Sequence, residues 1–188
     1  MKVFRDDDRL YLDDLQIGQR FTSGTHVVDE EQIKAFARQF DPQPFHLDNE
    51  AAKNTLLSGL AASGWHTAAI TMRLLVESGL PLAGGIVGAG GELEWPNPTR
   101  PGDSLQVESE VLDVRASRSR PDRGVATVRS LTRNQRNEVV QRLTAKLIVP
   151  RRALIRRTAR GGGPRLRHHA ESPMVRHEMT TVKPSPIS

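Results

Sequence analysis

The sequence predicts a single α+β domain in which antiparallel strands wrap against one long apolar helix. Three observations carry that expectation. A short amphipathic helix precedes a long segment that is apolar on most sides. Four strand-like segments then fill the rest of the chain to Pro150. One of them, SLQVESEVLDV (104–114), alternates polar and apolar residues, and the last two flank a tight turn as in an antiparallel hairpin. A run of helices followed by a run of strands is the α+β order. At 188 residues the chain is long enough for one substantial core, and no internal repeat is evident.

Taken in order, RFTSGTHVV (20–28) reads as a strand and DEEQIKAFARQF (29–40) as a helix. Asp29 is its N-cap and Gln32 completes a capping-box variant. Ile33, Phe36, Ala37 and Phe40 form one apolar stripe, and Pro42 ends the helix at Asp41. Asp48 caps a short helix, NEAAKN. The segment SGLAASGWHTAAITMRLLVESG (58–79) is the long helix. Ala61, Ala68, Ala69, Met72, Leu75 and Val76 surround most of its circumference, which predicts burial on several sides. Gly79 with Leu80-Pro81 stops it. The strands are GIVGAGGELEW (85–95), SLQVESEVLDV (104–114), and a hairpin made of 123–134 and 137–149. The glycines of the first of these permit a bulge or a close contact with the long helix.

Composition divides the chain into a domain over residues 1–150 and a basic tail over 151–188. The tail holds eight Arg and one Lys against Glu171 and Glu178, a net +7. The whole chain carries +5, so residues 1–150 carry −2. Rich in Arg, Gly and Pro with little apolar periodicity, the tail is expected to be disordered. Its arginines suit phosphates, yet it has no aromatic residue for base stacking, so a nucleic-acid partner is disfavoured. Cysteine is absent, which excludes disulfides, thiolate metal sites and cysteine nucleophiles. The N-terminus lacks a signal pattern, and His66 and Arg73 interrupt the most apolar window, 56–76. A soluble cytoplasmic protein without a membrane partner is expected.

The stretch DPQPFHLD (41–48) places Asp41 and His46 around two stiff prolines, expected to hold them apart without a helix or strand. A carboxylate and an imidazole so held can bind a water, remove one proton and deliver another. The same spacing also suits an ordinary turn. Just downstream, SGLAASGW enters the long helix, whose first N–H groups suit an oxygen that becomes negative. Gly64 lets a ligand approach the backbone there. No close histidine pair supports a metal site, and His66 is expected to be a hydrogen-bonded interior residue. Ser63 lacks the setting of a hydrolase nucleophile, and GIVGAGGE fits neither the dinucleotide nor the phosphate-loop pattern.

The stretch FARQFDPQPFHLDNEAAKNTLLSGLAASGWHTAA resembles the signature of MaoC-like dehydratases, the family that includes (R)-specific enoyl-CoA hydratases. That motif reads approximately D-x-N-P-x-H, followed by a glycine at the start of the central helix. Asp41-Pro42-Gln43-Pro44-Phe45-His46 and then Gly64 match it, and WPNPTRPGDSL (95–105) resembles the family's turn before its last long strands. The resemblance covers about residues 10–150 and implies a hotdog fold, a curved antiparallel sheet around a long central helix. It implies that Asp41 and His46 activate water, and that Gly64, with Ser63 beside it, binds the thioester oxygen. It also implies that trans-2-enoyl and 3-hydroxyacyl thioesters of CoA or acyl-carrier protein interconvert, without metal or other cofactor. Gln43 stands where the motif has Asn, and Met72 where hydratases often carry Ser, so the acyl substrate is left open. A hotdog thioesterase and a non-catalytic acyl-thioester binder are the competing functions. A lone hotdog leaves a sheet edge uncovered, so a homodimer or dimer of dimers is expected.

Overall fold

A computed structural model describes residues 8–152. The tail from residue 153, expected above to be disordered, lies outside the described residues. Strand β1 (Arg20–Val27) leads into helix α1 (Glu30–Phe40), then two short helices, α2 (Pro44–Leu47) and α3 (Asn49–Lys53). Helix α4 (Gly64–Leu74) continues into a π-helical turn, Leu75–Gly79. Strands β2 (Val87–Glu94), β3 (Ser104–Ala116), β4 (Arg123–Arg133) and β5 (Val139–Pro150) complete the chain. The sheet order is β1-β3-β4-β5-β2, and every neighbouring pair is antiparallel.

The sheet is curled. Helix α4 contacts β1 and β5 as well as β3 between them. Strands three places apart stand roughly 14 Å apart in a flat sheet, too far for one helix to sit close to both. Register shifts between Thr22 and Thr25, Gly88 and Gly91, Val111 and Asp113, and Thr132 and Arg133 supply the bends. At Gly91 a Cβ would lie 2.5 Å from the Thr144 carbonyl oxygen, so that bulge requires glycine. Strand β4 alternates strictly, with Ala126, Val128, Ser130 and Thr132 buried. Ala126 and Val128 meet Leu105, Val107 and Val111 of β3, Ile70 and Leu74 of α4 and Leu75 of the π-helical turn in one core. Each such aliphatic side chain stabilises the fold by about 1.5–3 kcal/mol. This is the hotdog architecture that the resemblance implies.

Hydroxyls seat the helix as well as hydrocarbon does. Thr71 Oγ1 meets Thr132 Oγ1 at 2.7 Å, and Thr67 Oγ1 donates to Thr99 Oγ1 at 3.0 Å. Ser109 and Ser130 pair beneath them at 2.8 Å. All six side chains are buried.

Several expectations need correction. The long helix begins at Gly64, not Ser58, because Ser58 (φ 50°) and Gly59 (φ 135°) adopt left-handed backbone. Residues 55–62 instead form a strap that crosses towards the 96–103 turn. Helix α4 is also not covered on all sides, for Trp65 is 62% exposed, Met72 41% and Val76 52%. Helix α1 keeps its Asp29 cap, which accepts from Gln32 N at 2.7 Å. Of its apolar stripe, Ile33 and Ala37 are buried, while Phe40 lies exposed against Phe36. No helix among the described residues is long and apolar enough to cross a membrane.

Candidate active site

Asp41 is the C-cap of α1, placed where Pro42 forbids another turn. His46 was expected in an irregular loop, but Pro44 occupies the first turn of α2, a position where proline favours a helix. One turn of helix carries His46 back towards Asp41, so that Nε2 lies 3.4 Å from Asp41 Oδ2. The two are held separately. Gln43 Nε2 donates to Asp41 Oδ1 at 2.7 Å, and His46 Nδ1 lies 2.8 Å from the Ala61 carbonyl oxygen. A carbonyl only accepts, so Nδ1 carries the proton and Nε2 faces the carboxylate. At 3.4 Å a direct bond is weak, yet one water oxygen can touch both groups.

Ionisation of Asp41 is balanced by its surroundings. Burial opposes the charge, but hydrogen bonds from Ser63 and Gln43 and the adjacent His46 outweigh it. Its carboxyl is held below the usual range, and it is a carboxylate at neutral pH. Ser63 is fully buried. Its oxygen caps α4 by accepting from Trp65 N at 3.2 Å, and Ser63 is also one of the groups that favour the charged form of Asp41. The Gly64 N–H is the first of α4 and has no intrahelical acceptor.

His46 and Gly64 border a cleft of about 340 Å³ whose walls also include Thr67, Trp95 and Val140. The Trp95 ring lies on the Gly64 backbone so closely that a Cβ there would sit 2.7 Å from ring atoms Cδ2 and Cε2. Glycine is therefore required at 64 for packing against the indole. Trp95 is fixed in turn, since its Nε1–H donates to Gln141 Oε1 at 2.9 Å and its ring meets Trp65 edge-on.

The strap depends on Arg100. Its guanidinium donates to the carbonyls of Gly59 (2.8 Å), Leu60 (3.0 Å) and Leu57. Ala62 N bonds the Thr99 carbonyl at 2.9 Å and Ala61 N bonds that of Phe45 at 3.2 Å. The carbonyl that orients His46 is thus clamped on both sides. Sequence reasoning brought Asp41, His46, Ser63 and Gly64 into view and missed Arg100, Trp95 and Gln141. Trp95 and Arg100 lie in the WPNPTRPGDSL stretch that the resemblance singled out, but nothing in it gave either a role, and no local pattern marks Gln141.

His66 departs from expectation. It is buried and stacked on Phe36 at 4.7 Å, but its Nδ1 has no hydrogen-bond partner. Desolvation, reinforced by His26 and opposed by Asp29, holds its imidazole below the ordinary range, so it is neutral in the fold. Among the described residues no three His, Asp or Glu side chains gather as a metal site requires.

Residues 14–134 match the family model described as a MaoC like domain. Among curated proteins, the chain is similar to the uncharacterized protein YdeM of Bacillus subtilis (strain 168), 37% identical over 128 residues. That alignment covers 66% of this chain and 88% of YdeM. Among solved structures, the MaoC-like dehydratase from Rhodospirillum rubrum is 67% identical with a TM-score of 0.75. It spans 76% of this chain and 98% of that one. The R-hydratase PhaJ1 from Pseudomonas aeruginosa is 26% identical, with a TM-score of 0.61, over 76% of this chain and 87% of its own. Sequence and fold agree, and this chain belongs to the MaoC-like dehydratase family.

Proposed function

We propose that the protein is a hydratase/dehydratase that interconverts trans-2-enoyl and 3-hydroxyacyl thioesters of CoA or acyl-carrier protein. The observation that carries this reading is the Asp41–His46 pair, 3.4 Å apart, set beside the free N–H at the start of α4. A water held between the two groups attacks C3 of the enoyl chain, and the pair takes its proton. The electron pair of the C2–C3 double bond moves towards the thioester carbonyl, whose developing negative charge is met by the Gly64 N–H. The proton is then delivered to C2, so that one water is added in full and no cofactor is consumed. Dehydration is the reverse.

What supports hydration over thioester hydrolysis is where the carboxylate stands. Thioesterases of this fold usually centre it on the long helix, and α4 (GWHTAAITMRL) contains neither Asp nor Glu. We also propose a homodimer or a dimer of dimers. The exposed apolar face of α4 and the exposed edge strand β2 are surfaces that a second copy would cover.

Incubation with crotonyl-CoA tests the function. Loss of the conjugated enoyl absorbance without release of free thiol is the expected result. Release of thiol would establish a thioesterase instead. Binding without turnover of any enoyl thioester would make the protein a non-catalytic binder.

A further inference from the structure

Beneath α4 lies a second cavity that the chemistry above does not use. Its volume is about 320 Å³, and apart from Ser130 its side-chain walls are apolar: Met72 and Leu75 above, Leu93, Leu143 and Leu147 from the strands. Glycines 88, 90 and 91 of β2 leave one side without side chains, which is why there is room. The catalytic cleft is the nearer of the two to the start of the helix, for it touches Gly64 and Thr67 where the apolar cavity touches Met72 and Leu75.

Strand register puts the two spaces in line. Leu93 of β2 pairs with Leu143 of β5, and Glu94 with Arg142. Side chains two apart on a strand share a face. Trp95 therefore follows Leu93, and Gln141 follows Leu143, on the face towards α4. Leu93 and Leu143 line the apolar cavity, while Trp95 lines the catalytic cleft. The Trp95–Gln141 pair, bonded at 2.9 Å, stands at the boundary. Gln141 is only 1% exposed. A buried amide is costly in an apolar groove unless its partner is secured, and here the indole N–H secures it. The bond holds the ring against Gly64.

The geometry points to the Trp95–Gln141 pair as the determinant of acyl-chain length, a partition that ends the catalytic cleft and withholds the apolar cavity from the acyl group. The nature of the ligand rests on the hydratase reading above. With the thioester oxygen at Gly64 N–H and C3 at the Asp41–His46 pair, the remaining acyl carbons run along the groove towards Trp95. A closed partition admits only a short acyl group. Displacing it joins the two cavities, and the second houses further methylenes.

The test compares full-length wild type with Trp95→Leu and with Gln141→Met, which frees the indole while leaving the ring intact. Hydration of crotonyl-, trans-2-octenoyl- and trans-2-dodecenoyl-CoA is measured, together with calorimetric binding of the matching saturated acyl-CoA esters. Wild type is expected to favour the shortest ester in both assays. Each buried methylene contributes about fourfold in affinity. With only part of the added chain housed, either variant should raise the long-to-short ratio of kcat/KM by roughly tenfold to a hundredfold. Measurable hydration with the ratio unmoved in folded variants overturns the partition and leaves the hydratase reading standing. A shift in binding preference without hydration of any ester supports the partition and removes the hydratase reading. Wild type that accepts the dodecenoyl and crotonyl esters equally overturns the partition outright.

Discussion

Replacing Gly64 with Ala adds one methyl group at the most crowded point of the site. Its Cβ would stand 2.7 Å from Trp95 Cδ2 and Cε2 and 3.0 Å from Cε3. Carbon atoms pack best at about 3.5–4.0 Å, so the ring or the helix start must move by roughly 1 Å. The ring is not free to yield, because the Gln141 bond and the Trp65 edge contact hold it. Overpacking of this kind costs about 1–3 kcal/mol, and a strained indole–amide bond adds about 1 kcal/mol. Alanine's better helix propensity returns at most about 1 kcal/mol. The net loss is about 2 kcal/mol, or roughly 4–8 °C in Tm for a domain of this size. Turnover should fall about a hundredfold, the cost of misplacing reacting groups by about 1 Å. The assays are thermal melting by circular dichroism and crotonyl-CoA hydration. Gly64→Ala combined with Trp95→Leu removes the collision and should regain most of the lost stability, a departure from additivity expected of residues in contact. A single variant with wild-type Tm and turnover would refute both the packing argument and the place given to the thioester oxygen.

Four further predictions test other parts. Asp41→Asn and His46→Ala should each cut hydration by about a hundred- to ten-thousand-fold, and the double variant should lose far less than the product, because both groups act on one water. Arg100→Met should lower stability by about 2–4 kcal/mol through the lost charged hydrogen bonds and should free the His46 ring to populate both tautomers, read by nitrogen NMR. An unchanged His46 spectrum would separate the strap from the site. The folded-state pKa of His66 is depressed, so its contribution is complete above the unfolded imidazole value and lost as pH falls through the window below it. His66→Phe should therefore flatten the fall in Tm between about pH 7.5 and 5.5, and an equal fall in both proteins would refute this. Light scattering should give a multiple of the 20.8 kDa chain mass, and Val76→Glu should shift it towards monomer. A wild-type monomer at assay concentration would refute the dimer.

What could be read from the sequence was what depends on neighbours along the chain. Asp29 and Gln32 announce α1 because capping is a local bond, and Pro42 ends it by its own ring. Alternation along β4 reflects one face that is buried throughout. The start of α4 was not legible. Ser-Gly-Leu-Ala-Ala is as compatible with helix as with strap, and the deciding contacts come from Arg100, about forty residues away. Asp41, His46 and Gly64 were visible because the motif compresses them into one stretch. Trp95 and Gln141 meet only through strand register, which a linear pattern does not carry. His66 misled because an apolar helix face predicts burial but not a partner for Nδ1.

The paired hydroxyls beneath α4 have a consequence for how uniquely the chain folds. A helix seated by hydrocarbon alone can slide by a residue or a turn and still cover its strands, since dispersion has no direction. A hydroxyl pair is directional. Any displaced seating of α4 would strand Thr71, Thr99 and Thr132 without these partners in the interior and leave Thr67 only its bond to the Ser63 carbonyl, at about 1–3 kcal/mol for each group left unmade. The native seating gains little from these bonds in absolute stability, yet the alternatives forfeit several kcal/mol against it. The threonines therefore act as an error penalty on folding. They select the one arrangement in which Gly64 arrives beside Asp41 and His46.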